Sequence, residues 1–295
     1  MAPVIVLEHT RMPRLRRSLP RLFTQRKPAL VRAGRRVPRI EARLSGHRPD
    51  AARLRAYRKV CGFAARSDHL PVTLPHVLAT PLHLEMLTHP AFPIGLLGLV
   101  HVRNTIILHR RLHSDEAFDL SAVLDGHREV RSGQEFDLLT SLAVGGAVVW
   151  EEVCTFLARG ASRTRTGGRR ERTKPPAALA GGEMDRFLAP GHIGRDYARV
   201  SGDYNPIHLS ALTAKPFGFP RAIAHGMWTL GRVAAELDAR WPDGPTRFSA
   251  EFKQPILLPG AVTLARRYAS DRIAFELRDE AGERLHLTGS VERAD

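Results

Sequence analysis

Between residues 225 and 241 the chain reads HGMWTLGRVAAELDARW. Met227, Leu230, Val233, Ala234 and Leu237 recur there at the three- and four-residue spacing that lines one face of a helix. The rhythm then shortens. TRFSAEFKQPILLPG alternates at Phe248, Ala250 and Phe252, and VTLARRYAS, RIAFELRD and RLHLTGSVE continue as further strands, the last two parted by a turn-like EAGE. An earlier region repeats the plan. PHVLATPLHLEML (75–87) has helical spacing broken by Pro81, and LVHVRNTIILHRRL, FDLSAVLDGH, EFDLLTSLAV and AVVWEEVCTFLA follow, with Gly145-Gly146 at the last turn. Twice, then, a helix precedes an antiparallel meander, which predicts an α+β layer with the helix packed on one face of a sheet.

Between the two regions the stretch 161–180, rich in Gly, Arg and Pro, has no apolar period and reads as a linker. The expected organisation is a region 50–160, this linker and a region 181–295. Ahead of them lies a basic N-terminal arm, 1–49, expected to be partly disordered. Charge supports that division. Residues 1–60 hold 17 Lys and Arg against 3 Asp and Glu, so nearly all of the net charge of +15 comes from the start of the chain. No zinc-finger, RNP or basic-zipper pattern accompanies it, so sequence-specific nucleic-acid binding is not expected. Cys61 and Cys154 are too few for a disulfide framework and lack metal-ligand spacing. The longest apolar run, AFPIGLLGLV, is too short to span a bilayer, and a cytoplasmic location is expected.

Chemistry concentrates in YARVSGDYNPIHLS, residues 197–210. Asn205 is a preferred N-cap and Pro206 suits the first helical position, which would put His208 in the first turn and Asp203 just outside it. Helix-start chemistry explains Asn205 and Pro206. It does not explain His208 beside a carboxylate.

Gly202, Asp203, Asn205, Pro206 and His208, followed by Ile223, His225, Gly226 and Met227, resemble the paired motif of the MaoC-like dehydratases and (R)-specific enoyl-CoA hydratases. KQPILLPG resembles the family's proline-glycine segment, and the likeness is strongest over 195–262. The resemblance implies a double hot-dog: two curled antiparallel sheets, each wrapped around a central helix, with only the second half carrying the catalytic block. It implies reversible hydration of trans-2-enoyl thioesters to (3R)-3-hydroxyacyl thioesters in fatty acid metabolism, on coenzyme A or acyl carrier protein. Asp203 and His208 would share the reacting water, and the Gly226 amide would receive enolate charge. No metal or organic cofactor is required, although Asp203, His208 and His225 also have the make-up of a two-histidine, one-carboxylate metal site. The first half would shape the acyl cavity, and the assembly allows a homodimer of double hot-dogs.

Two other readings share the fold: an acyl-thioesterase and a non-catalytic acyl-thioester-binding protein. The Asp-Asn-Pro-His block argues against both. His225 is expected to orient the helix start, Tyr204 and Ser201 to pack or bond locally, and His76, His83 and His101 to be structural or on the surface.

Overall fold

The structure, a computed structural model, describes residues 4–13, 27–96, 98–160, 179 and 181–294. The expected linker lies almost wholly outside the described residues. The first half contributes β2 (Ile40–His47), β3 (Leu99–Leu108), β4 (Phe118–Leu124), the short β5 (Arg128–Val130), β6 (Gly133–Val144) and β7 (Ala147–Arg159). The second contributes β8 (Glu183–Ala189), β9 (Thr246–Phe252), β10 (Gly260–Tyr268), β11 (Arg272–Asp279) and β12 (Leu285–Arg293).

The long strands run β2-β4-β6-β7-β3 and then β9-β12-β11-β10-β8 across one sheet. From its outer edge inward, each half therefore orders its strands as first, third, fourth, fifth, second. The duplication glimpsed in the sequence is a duplication of topology, and the architecture is a double hot-dog. The halves join where β3 pairs antiparallel with β9, from Arg103↔Glu251 to Leu108↔Thr246.

Each half wraps its sheet around a helix. In the second, α5 (Gly226–Leu237) buries Met227, Leu230, Val233, Ala234 and Leu237, the residues whose spacing predicts it. In the first, α2 (Leu74–Leu87) keeps Pro81 inside the helix and buries its surroundings almost completely. An internal proline leaves the carbonyl four residues earlier without its amide donor. Arg53, on α1 (Ala51–Cys61), supplies the replacement: its Nη2 donates to Val77 O at 3.0 Å and its Nε to Val200 O at 2.9 Å. Val200 belongs to α3 (Ile193–Ser201) in the second half, so one guanidinium repairs the proline gap and ties the halves together.

The stretch expected as a basic arm contributes two strands. β1 (Ile5–His9) pairs parallel with β2, and β2 buries Ile40, Ala42 and Leu44. Residues 14–26 of that stretch, which hold five of its arginines, lie outside the described residues.

Candidate active site

The motif residues lie where helices stop and start. α3 ends at Gly202, whose φ of 82° is the left-handed C-cap conformation that glycine adopts at least cost. The chain turns there and delivers Asp203. Asp203 Oδ1 then accepts from the Asn205 amide at 3.1 Å, closing a local turn. Asn205 caps as its sequence position predicts, its side chain accepting from Ile207 N, and Pro206–His208 form a single 3-10 turn.

A second segment straps this loop down. Ile223 N donates to Ile207 O at 3.0 Å, and His208 Nδ1 donates to Ile223 O at 2.8 Å. That bond fixes the ring and leaves Nε2 as the free nitrogen. The strap is held in turn by the KQPILLPG segment, through Ala224 N to Ile256 O and Leu258 N to Ala222 O. Three separate sequence blocks thus converge on one imidazole.

His225 lies under the pair. Its Nε2 donates to Asp203 O at 3.0 Å, and its ring stacks on His208 with centroids 3.7 Å apart. It is buried, and burial with the neighbouring His208 pulls its pKa down to about 3, so it is a neutral support. The expectation that it orients the helix start is extended: it also fixes the backbone of Asp203.

Ligating atoms of Asp203, His208 and His225 all lie within 4.8 Å of one another. One water can span such a gap with hydrogen bonds of ordinary length at both ends. The three groups also have the reach to hold a cation, but His208 Nδ1 and His225 Nε2 already donate to carbonyls, leaving one free nitrogen on each ring. The Asp203 side chain is 48% exposed while His225 is 2% exposed, so the carboxylate meets solvent and the imidazole behind it does not. Burial acts to raise the Asp203 pKa, but His225, His208 and the Asn205 amide outweigh it, and the net shift is downward. Burial lowers the His208 pKa against the opposing pull of Asp203. At neutral pH the pair is therefore carboxylate and neutral imidazole.

Gly226 opens α5 with no side-chain cap, so its amide lies among the unsatisfied donors at the positive end of the helix dipole. The Phe252 ring packs where a side chain on Gly226 would begin, 3.2 Å from that point.

Sequence reasoning missed two features. Gly194 is so close to the loop that an added Cβ would stand 1.9 Å from His208 O. Gly194→Ala should therefore shift the His208 backbone, cost about 1–3 kcal/mol of stability and lower turnover. Normal Tm and kcat in this variant would show that the contact is slack. The second feature is a cluster: His76, His83 and His101, expected to be structural or on the surface, gather with Glu152, Asn104 and Cys154. His76 Nδ1 lies 2.9 Å from Glu152 Oε2 and 3.5 Å from Cys154 Sγ. Asn104 Nδ2 donates to Glu152 Oε1 at 2.7 Å. Burial opposes this ion pair, yet Glu152 raises the pKa of His76 and His76 brings Glu152 down to about 2.

Comparison with known proteins decides the lineage. Residues 186–285 match the family described as MaoC like domain. The chain is 35% identical over 249 residues to 3-hydroxyacyl-thioester dehydratase X of Mycobacterium tuberculosis, covering 82% of this chain and 85% of that protein. This chain belongs to the MaoC-like dehydratase family. A crystal structure of the same mycobacterial protein aligns with a TM-score of 0.74 at 31% identity, over 86% of this chain and all of that one. A MaoC-like dehydratase from Phytophthora capsici shares the fold, with a TM-score of 0.68 at 17% identity over 88% of this chain and 95% of that one. A short stretch of 33 residues is 61% identical to peroxisomal enoyl-CoA hydratase 2 of Arabidopsis thaliana, 11% of each chain. In this MaoC-like dehydratase both halves carry the hot-dog topology, while the Gly-Asp-x-Asn-Pro-x-His block occurs in the second alone.

Proposed function

We propose that this chain is a hydro-lyase that interconverts trans-2-enoyl and (3R)-3-hydroxyacyl thioesters of fatty acid metabolism, with Asp203 and His208 acting on one shared water. The observation that carries the reading is the pairing of an ionised carboxylate with a neutral imidazole, within 4.8 Å, next to an uncapped helix N-terminus. The water oxygen adds to C3 as His208 Nε2 takes one of its protons. The α-carbon then receives that proton, so the elements of water are added across the double bond. Charge that gathers on the thioester oxygen in between is stabilised by the Gly226 amide and the α5 dipole. Dehydration runs the same steps backward. The dehydratase named for the mycobacterial relative agrees with this chemistry.

Coenzyme A and acyl carrier protein are both acidic, and a chain of net charge +15 suits either as the acyl carrier. The family's membership supports a chain that works on acyl thioesters, and no described helix is long and apolar enough to cross a membrane.

Hydration of trans-2-enoyl thioesters on both carriers, followed by chiral analysis, should yield the (3R) product. Release of free thiol without hydration would point to a thioesterase instead, and binding without turnover to an acyl-thioester-binding protein. The pH profile tests the roles of the pair. Protonating His208 removes the lone pair that accepts the water proton, so kcat/KM should fall in acid. Because burial lowers the His208 pKa, the midpoint should lie below the ordinary imidazole value of 6.5. A midpoint at or above 6.5 would remove His208 from that role.

A further inference from the structure

Buried polar atoms almost always find a hydrogen-bond partner. Four that have none among the described residues belong to the two clusters just described: Tyr197 Oη and His225 Nδ1 in the second half, His101 Nε2 and Asn104 Oδ1 in the first. The Tyr197 ring lies 4.9 Å from that of His225, beside the motif residues. His101 and Asn104 need a different partner. Both come from β3, and both adjoin the His76–Glu152 ion pair: His101 stacks parallel to His76 with centroids 6.3 Å apart, and Asn104 bonds Glu152.

This polar cluster begins one ring away from the thioester-binding amide. Phe252 packs on Gly226 on one side and lies 4.8 Å from His101 on the other. Glu152 and Asn104 are essentially inaccessible to water. His101 Nε2 and Asn104 Oδ1 are already buried without a bond, which is costly, and a saturated hydrocarbon chain brought beside them would supply none. A group able to both donate and accept would satisfy them. Asn104 Oδ1 is an acceptor, because its amide nitrogen is committed to Glu152 and Cys154. Burial keeps His101 neutral, with a pKa near 4, so its Nε2 presents either a lone pair or a proton. A hydroxyl meets both requirements.

We infer that the first half reads a hydroxyl on the acyl chain, distinct from the one formed at C3, through His101 Nε2 and Asn104 Oδ1. The inference rests on the proposed hydration at Asp203 and His208 and names the substrate class of that site: enoyl thioesters oxygenated farther along the chain. The first half then sets specificity as well as replacing a second subunit.

The test compares kcat/KM for trans-2-enoyl-CoA pairs of equal length, one with a saturated tail and the others with a single hydroxyl at successive carbons from C5 outward. All share the same pantetheine arm, so any preference arises from the acyl chain. At least one hydroxylated member should be favoured by roughly tenfold or more, since a site built to bond a hydroxyl discriminates against the analogue lacking it. In His101→Phe and Asn104→Leu that ratio should fall towards one. Equal or better turnover of the saturated substrate against every hydroxylated isomer would overturn the inference and leave the hydration mechanism standing. A preference that survives both substitutions would overturn the assignment to His101 and Asn104. Hydration of none of the substrates would overturn the proposed reaction, and the inference with it.

Discussion

Asp203→Asn should lower kcat for enoyl-thioester hydration by roughly 10²–10⁴-fold, the usual contribution of a positioned acid–base group. Asparagine keeps the shape of the side chain, and its Oδ1 can still accept from the Asn205 amide as Asp203 does. It cannot hold and polarise the water as an anion. The bond from His225 to this residue goes to the backbone carbonyl and is untouched by the change. Thermal stability and thioester binding should therefore persist while turnover collapses. His208→Gln should cost a similar factor, since an amide cannot take the proton that Nε2 accepts. The double variant should be little slower than either single one, because groups that act as a unit are not additive. The decisive measurements are single-turnover rates alongside Tm. A folded Asp203→Asn protein with more than about a tenth of normal turnover would sink the mechanism, because a tenfold loss is only ~1.4 kcal/mol of barrier.

The second half alone, residues 181–295, should be inactive as a monomer and should self-associate. We propose that each half depends on the other as the subunits of a dimer would. Severing the chain there strips β9 of its β3 partner along Thr246–Glu251 and leaves a bare strand edge, which favours pairing with other chains. It also orphans the Trp228 indole N–H, which donates to Val60 O at 2.9 Å, and removes the Arg53 cap from Val200 O. Tyr197, whose ring sits 6.3 Å from Tyr57 of the first half, would lose that backing immediately before the loop that carries Asp203. Light scattering on the fragment, paired with a hydration assay, decides the matter. A stable, active monomer would show that the second half is self-sufficient.

How far the sequence reached depends on how local each signal is. The helix 226–237 and strands β3, β4, β6, β7 and β9–β12 were legible because their burial follows a short period within one continuous segment: Phe248 and Ala250 on β9 face the core as the alternation predicts. The motif block was legible for a related reason. Gly202, Asp203, Asn205, Pro206 and His208 form one local turn, whose cap and Asx bonds reach only two residues along the chain. β8 left no such signal. It is the outer edge strand of the second half, and five of its seven residues are exposed, so it has no apolar face to alternate. β2 was hidden differently: its buried Ile40, Ala42 and Leu44 occur inside the run of arginines that suggested an arm.

The polar cluster was beyond the reach of sequence altogether. His76 meets Glu152 across 76 residues and Asn104 meets Cys154 across 50, on a helix and two strands whose pairing register brings Asn104 opposite Cys154. No spacing along the chain encodes such a meeting. Local chemistry therefore determined the secondary elements and the turn that carries Asp203 and His208. Only the tertiary structure decided that the half without the motif gathers an ion pair and two unpartnered polar atoms in one buried cluster, because which residues share a buried space is set by how the strands and helices pack and not by where the residues fall in the chain.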